Sequence, residues 1–197
     1  MSRRVVFIHG SPRLNGNTRV AAGIAMQELK AMGIDSDGID AVRLGFKHPG
    51  CISCHKCQKS EEYRCHIDDE LAQAVAGLPA YDAVVIATPI YWFSYTAQVK
   101  MVIDRMYSLI KFTETGGVRT PLAGKPLALL ATGGGGVEFN LDLLEMQWKT
   151  PAHIAGCPFL SCLIPFARYE PGELVNDGEA VDRAKAFGRQ LGELLRQ

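Results

Sequence analysis

The sequence predicts a doubly wound α/β fold, in which helices cover both faces of a parallel sheet. Short apolar runs bounded by glycine and proline alternate with stretches of helical period. The runs are almost continuously apolar, as expected for strands that are buried on both faces. With 47% hydrophobic residues, the chain can bury one substantial core, so we expect a single domain over residues 1–197.

Five strands are expected, each an apolar run next to turn residues. Their predicted ranges are Arg4–His9, Ser36–Val42, Ala83–Thr88, Pro126–Thr132 and Cys157–Ile164. The second range shows only weak alternation of apolar and polar residues. Pro158 and Pro165 flank the core of the fifth, which favours an edge position because proline cannot donate to a central ladder.

Three helices are predicted by apolar side chains that recur at helical spacing and would form one buried stripe each. The stripes are Ala21, Ile24, Ala25, Leu29 and Met32; then Val99, Val102, Ile103, Met106 and Ile110; and finally Ala184, Phe187, Leu191, Leu194 and Leu195.

Composition excludes several classes of partner and location. Lysine plus arginine equals aspartate plus glutamate at 21 each, so no overall field attracts nucleic acid or an anionic membrane. The apolar run Val5–Ile8 is too short for a signal peptide, and no apolar stretch approaches the ~18 residues of a membrane span. We therefore expect a cytoplasmic protein, where clustered cysteines indicate metal or redox chemistry.

Ligands of doubly wound sheets bind at the carboxyl ends of strands, so the loops after the first, third and fourth strands are informative. The first loop, HGSPRLNGNT, joins a strand to a helix and could hold an anion with backbone N–H groups and hydroxyls. Its candidate phosphate-binding residues are Ser11, Arg13, Asn15, Asn17 and Thr18. The alternative is an ordinary turn in which Thr18 caps the helix.

The other two loops suit a flat ring. Tyr91, Trp92 and Phe93 follow the third strand and could form an apolar wall with polar tips, although a core or subunit-contact cluster is the alternative. Four consecutive glycines end the segment Thr132–Gly136 after the fourth strand. They indicate backbone that approaches a ligand closely, or else a flexible surface loop.

Together GSPRLNGNT, TPIYWFSYTAQVKMVIDR and ATGGGG resemble the NADPH-dependent FMN reductase branch of the flavodoxin-like superfamily. The resemblance implies a strand order of 2-1-3-4-5, noncovalent FMN, and a homodimer or homotetramer with flavin sites near subunit interfaces. It assigns the FMN phosphate to the five residues of the first loop. It assigns the isoalloxazine ring to Pro89, Ile90, Tyr91, Trp92, Phe93 and Ser94 on one edge, and to Thr132, Gly133 and Gly134 on the other.

Four of the six cysteines form the pattern C-x2-C-x2-C-x7-C at Cys51, Cys54, Cys57 and Cys65. The pattern resembles that of the iron-sulfur flavoproteins, although Ser53 stands where a glycine is common. Four thiolates can ligate a [4Fe-4S] cluster, and C-x2-C-x2-C is a ferredoxin spacing. Zinc and free or redox-active thiols in a loop over the flavin are the alternatives. The candidate counter-charges are Lys56, Lys59, Arg64, His55 and His66.

The resemblance implies an NAD(P)H-dependent oxidoreductase. A nicotinamide would pass a hydride to FMN, and a flavin or quinone would then take the electrons, so no side chain is assigned as a catalytic acid or base. The alternative is an electron carrier that uses FMN and a [4Fe-4S] cluster with a partner such as ferredoxin. A non-catalytic flavin-binding or zinc-stabilised module is the third hypothesis.

Overall fold

A computed structural model gives the structure of the protein and describes residues 2–197. The helices and strands, in chain order, are β1 Arg4–His9, α1 Asn17–Ala31, β2 Asp35–Asp40, α2 Glu70–Gly77, β3 Ala83–Pro89, α3 Ala97–Arg105, β4 Lys111–Phe112, β5 Val118–Arg119, β6 Leu127–Thr132, α4 Asp142–Ile154, β7 Phe159–Ile164 and α5 Gly178–Leu194. In this part of the chain, no helix has the length and apolarity that crossing a membrane requires.

The main sheet has five parallel strands in the order β2-β1-β3-β6-β7. Counted along the main sheet alone, this is the order 2-1-3-4-5 that the resemblance implied. The order reverses next to β1, because β2 lies on one side of it and β3 on the other. The carboxyl ends of β1 and β3 therefore border the crevice in which such folds bind ligands.

Helices cover both faces of this sheet, as the sequence predicted. Alternate residues of β1 point to opposite faces, so Val6 and Ile8 join one core while Val5 and Phe7 join the other. The first core is completed by apolar side chains of α2, α3 and α4. The second is completed by those of α1 and α5.

The predicted strands are confirmed, with small shifts at their ends. Strand β1 has the predicted bounds, and β7 lies at the predicted edge of the sheet. Strand β2 ends before the predicted Val42 because Ala41–Arg43 forms a 3-10 turn. The prediction that the second apolar stripe belongs to one helix was wrong at its end. Helix α3 stops at Arg105, and Met106–Leu109 is a separate 3-10 turn. The helices α2 and α4 and the small β4–β5 hairpin were not predicted.

Candidate functional site

A cleft lies at the carboxyl ends of β1, β3 and β6, where the fold class predicts a ligand. It is lined by Ser11, Arg13, Gly16, Asn17, Thr18, Pro89, Ile90, Tyr91, Thr132, Gly133, Gly134, Ala167, Arg168 and Tyr169. All three loops that the sequence analysis selected therefore contribute to one concave surface. Of the predicted FMN-binding residues, Asn15, Trp92, Phe93 and Ser94 do not line this cleft.

The loop before α1 is shaped for an anion. Helix α1 begins without a side-chain cap and without an acidic residue in its first turn, so its first N–H groups and its dipole face the cleft unopposed. The Ser11 hydroxyl is buried and lies 3.2 Å from both the amide nitrogen and the carbonyl oxygen of Arg13, which tightens the loop. A Cβ at Gly16 would come within 2.9 Å of the Ser11 hydroxyl, so this close turn requires glycine.

Asn17 and Thr18, two of the predicted phosphate ligands, form hydrogen bonds that join α1 to other segments. The Asn17 side-chain amide donates to the carbonyls of Arg168 and Glu170, and its oxygen accepts from the Leu174 amide. The Thr18 hydroxyl lies 2.6 Å from the Thr132 hydroxyl in a buried pair. Asn17 thus fastens the segment after β7 to the start of α1, and Thr18 joins α1 to the end of β6.

The aromatic run forms a tight turn. The amides of Tyr91 and Ser94 donate to each other's carbonyls over 2.9 and 3.1 Å, which closes a two-residue loop. Its central residues, Trp92 and Phe93, have φ angles of 48° and 61°. Two successive left-handed residues define a type I′ turn, which normally has Asn-Gly there, so a Trp-Phe pair is strained. The turn exposes 93% of Trp92 and 55% of Phe93 at the rim beside the cleft, and Tyr91 lines the cleft itself.

The end of β6 brings its backbone close to the aromatic segment. The Ile90 amide donates to the Thr132 carbonyl over 2.8 Å. A Cβ at Gly133 would lie 2.8 Å from the Ile90 side chain, so a larger residue would push the two loops apart. Gly133 thus allows the end of β6 to pack closely against Ile90 beside the cleft; close approach of the glycine segment to a ligand stays a prediction.

The segment after β7 was missed as part of the site. Ala167, Arg168 and Tyr169 line the cleft, and the Arg13 guanidinium donates to the Tyr169 carbonyl over 3.1 Å. The same guanidinium lies over the Tyr169 ring, 5.6 Å from its centre. The rule that ligands bind at carboxyl ends could have found this segment, because it follows the fifth strand of the sheet.

The four clustered cysteines line a second cavity, at the opposite end of α3. Cys51, Cys54, Cys57 and Cys65 surround it together with the residues Ile52, His55, His66, Ile67, Arg105, Tyr107 and Ser108. Helix α3 has nine residues, or about 14 Å, between the aromatic turn and this cavity. Within one chain, the cysteine loop therefore does not cover the cleft.

Two buried cations fix the cysteine loop from beneath. The Arg105 guanidinium, 0% exposed, donates to the carbonyls of His48 and Gly50, to both oxygens of Asp69 and to the Cys65 sulfur. The Lys111 ammonium donates to the carbonyls of Cys57, Ser60 and Glu62. The buried cations beneath the loop are therefore Arg105 and Lys111, and not the basic residues of the loop that the sequence analysis named as counter-charges.

Only one carboxylate, that of Asp69, pairs with these two cations among the described residues. Burial by itself raises the pKa of Asp69. The amides of Lys47 and Ala72 and the Arg105 guanidinium outweigh that effect and hold its pKa below the usual value. The carboxylate is thus charged, whereas the Lys111 ammonium has only carbonyl oxygens as hydrogen-bond partners among the described residues.

The four thiols all line this one cavity. Within residues 2–197, no three histidine, cysteine or acidic side chains are grouped closely enough to hold one metal ion.

The family model described as NADPH-dependent FMN reductase matches residues 3–154. The chain belongs to this family. It is therefore an FMN-dependent oxidoreductase with a flavodoxin-like fold, as the three loop motifs implied. The matched range contains the phosphate loop, the aromatic turn, the glycine segment and all four clustered cysteines, but it excludes the segment after β7.

Individual relatives extend the comparison. The chain is 25% identical over 200 residues to an iron-sulfur flavoprotein of Methanocaldococcus jannaschii, covering 98% of this chain and 97% of the relative. An iron-sulfur flavoprotein of Methanosarcina thermophila is 28% identical over 102 residues, which is 52% of this chain and 51% of that relative. The structure resembles an NAD(P)H:quinone oxidoreductase from Methanothermobacter marburgensis, with a TM-score of 0.71, 17% identity, and coverage of 97% and 98%. That likeness supports the fold.

Proposed function

We propose that this member of the FMN reductase family binds FMN in the cleft and uses it to oxidise NAD(P)H. A quinone or a free flavin is the electron acceptor. The net reaction is NAD(P)H plus a proton plus quinone giving NAD(P)⁺ plus quinol. The observation that carries the proposal is one cleft lined both by the uncapped N-terminus of α1 and by Pro89, Ile90 and Tyr91 after β3. Such a site has one end for a phosphate and another for a flat ring.

At the phosphate end, the chain offers positive charge and free donors. Arg13 and Arg168 both line the cleft, and the first turn of α1 adds N–H groups. The Asn17 side chain holds the Arg168 carbonyl, so it positions that segment. We assign it a positioning role, while the backbone of α1 and the two arginines contact the phosphate.

At the ring end, Pro89, Ile90 and Tyr91 form one wall, and Gly133 and Gly134 allow close approach on the other. Trp92 and Phe93 stand on the rim, where they would border the open side of the ring and the nicotinamide that stacks on it. When bound, FMN supplies the chemistry, because it accepts a hydride equivalent from a nicotinamide and passes two electrons on. The protein's part is to hold, orient and shield the ring.

The test is anaerobic stopped-flow mixing of FMN-loaded protein with NADH or NADPH, following loss of the flavin absorbance. We expect bleaching with at least one of the two nucleotides, and reoxidation on adding a quinone. Arg13→Gln should weaken FMN binding at least tenfold, because a charged hydrogen bond to phosphate is lost. Arg3→Gln is the matched control, since Arg3 pairs with Asp82 near the amino end of β1. Bleaching with neither nucleotide would refute the proposal.

A second function is favoured by the cysteine cavity. We propose that Cys51, Cys54, Cys57 and Cys65 bind a [4Fe-4S] cluster that exchanges single electrons with a partner of the ferredoxin class. The thiols surround one cavity, and the buried cations beneath them outnumber the buried carboxylate. A cluster with four thiolates is anionic, so it would balance that charge.

Iron, sulfide and zinc analysis of protein purified without oxygen tests the cluster. We expect about four irons per chain and broad absorbance near ~420 nm. Cys57→Ser and Cys65→Ser should each reduce the iron content. Cys162→Ser is the control, because burial raises the pKa of Cys162 to about 12 and its thiol lies in the opposite core. Flavin without iron would refute the cluster and leave a flavin reductase with free thiols, whereas zinc would indicate a structural site.

We also propose that the protein works as a homodimer or homotetramer. Four aromatic side chains are between 55% and 93% exposed, and each belongs to a residue with a left-handed φ angle: Trp92, Phe93, Phe139 and Phe166. They follow the carboxyl ends of β3, β6 and β7, so they lie on the cleft side of the sheet as an apolar rim. Burial of such side chains favours association. Light scattering after size-exclusion chromatography would test this, and a mass of one chain would refute it.

A further inference from the structure

One buried hydroxyl group in the cysteine cavity lacks a partner. Ser108 is 2% exposed and lines the cavity, and its hydroxyl oxygen makes no hydrogen bond to any described residue. It lies in the 3-10 turn after α3, where a serine hydroxyl can usually bond back to a backbone carbonyl. Buried polar groups without a partner are rare and often mark a bound group that completes them.

A second donor in the cavity already points at sulfur. The Arg105 Nη1 atom lies 3.2 Å from the Cys65 sulfur, while the rest of the guanidinium is held by Asp69 and by the carbonyls of His48 and Gly50. These bonds hold the planar guanidinium in place, so Nη1 is directed at the Cys65 sulfur before any metal binds. Cys51 and Cys54, by contrast, are exposed.

We propose that Arg105 and Ser108 are positioning residues that donate hydrogen bonds to the sulfur atoms of the bound cluster, Arg105 to the Cys65 thiolate and Ser108 to a second sulfur in the cavity. The inference rests on the proposed cluster. Hydrogen bonds to cluster sulfurs stabilise the more negative, reduced state and so raise the reduction potential. Arg105 and Ser108 lie at and just after the end of α3 and would act on sulfurs in the cavity that they line, whereas Cys51 and Cys54 are exposed.

The Ser108→Ala variant removes one hydroxyl and nothing else. The matched control is Ser60→Ala, because the Ser60 hydroxyl lies in the cysteine loop but accepts from the Glu62 amide at the exposed surface and does not line this cavity. Both proteins are purified without oxygen, analysed for iron, and titrated spectroscopically against redox mediators. We expect both to hold as much iron as the unmodified protein.

The expected readout is a lower midpoint potential in Ser108→Ala alone. At a fixed potential, the ratio of oxidised to reduced cluster should rise about tenfold, which corresponds to about 59 mV for a one-electron couple. Arg105→Lys should also lower the potential. Lysine keeps the positive charge but lacks the guanidinium nitrogen that donates to the Cys65 sulfur. An iron-loaded Ser108→Ala protein with the same potential as Ser60→Ala would overturn the inference while leaving the cluster intact.

The metal-free protein gives a separate test that does not depend on cluster assembly. Since the Ser108 hydroxyl has no partner without the cluster, Ser108→Ala should unfold at the same urea concentration as the unmodified apoprotein, or at a higher one. A clearly lower midpoint would mean that the hydroxyl is already bonded, which overturns its assignment. Absence of iron in the unmodified protein would instead refute the proposed cluster, and this inference with it.

Discussion

The ion pair between Asp69 and Arg105 should be the strongest electrostatic contribution to the stability of the cysteine loop. Asp69→Asn is the informative change, because asparagine still caps α2 by accepting from the Ala72 amide while the negative charge is removed. The Arg105 guanidinium would then stay buried with only carbonyl partners and a sulfur.

The burial of both side chains sets the expected loss in the free energy of unfolding. The two side chains are 4% and 0% exposed, and removing one partner of a buried pair costs about 3–5 kcal/mol. Asp69→Ala should lose about 1 kcal/mol more, because the helix cap is lost as well. The exposed pair of Glu179 and Arg183 is the control: its side chains are 76% and 46% exposed, so Glu179→Gln should cost about 0.5 kcal/mol or less.

The assay is urea unfolding of the metal-free and flavin-free proteins at pH 7, followed by circular dichroism. The pKa of Asp69 is lowered in the folded state, so its contribution is present above the carboxyl's unfolded pKa of ~3.9 and is lost as the pH falls through the folded value. The gap between the unmodified protein and Asp69→Asn should therefore close in acid. A loss at pH 7 no larger than that of Glu179→Gln would refute the reasoning, because it would mean that the carbonyls alone satisfy Arg105.

Four further changes test separate parts of the structure. Burial, aided by Arg19, lowers the pKa of His9 to about 4, so stability should fall by up to about 3 kcal/mol between pH 6.5 and 4, and His9→Gln should flatten that dependence in pH-dependent urea melts. Lys111→Met leaves three carbonyls without their donor and should expose the Cys57 thiol to a thiol reagent, whereas the unmodified apoprotein should react slowly there. Trp92→Asn combined with Phe93→Gly relieves the strained turn, so thermal stability should rise while nicotinamide oxidation falls. Ser53→Gly should stabilise the apoprotein by up to about 1 kcal/mol, because Ser53 has a φ angle of 53°.

Each of these has a result that would contradict it. A pH dependence unchanged by His9→Gln would mean that another group carries the acid sensitivity. If the Cys57 thiol reacted equally fast in Lys111→Met and in the unmodified apoprotein, the loop would not need its three hydrogen bonds to the ammonium. A turn variant that loses both stability and activity would mean that the aromatic side chains pack within the fold. A Ser53→Gly protein less stable than the unmodified one would mean that the serine side chain makes up for its backbone strain.

The sequence by itself determined the sheet and the side of it that carries the site. Strands buried on both faces are apolar throughout, which is a local property, so the runs at Arg4–His9 and Ala83–Thr88 could be recognised without any partner. The loops that follow such strands meet at one edge of a parallel sheet. The order of strands and loops along the chain was therefore enough to place the phosphate loop, Tyr91 and the glycine segment in one cleft.

Only the tertiary structure decided which side chains remain free to act. Asn17 is a typical phosphate ligand in sequence, yet both ends of its amide are bonded to a segment more than 150 residues away. Arg105 has the pattern of a basic residue at a helix end, and Ser108 that of an ordinary turn residue. Burial against the cysteine loop makes the first a fixed donor to sulfur and leaves the second without a partner. Such roles depend on contacts between residues distant in sequence, and local composition carries no record of those contacts.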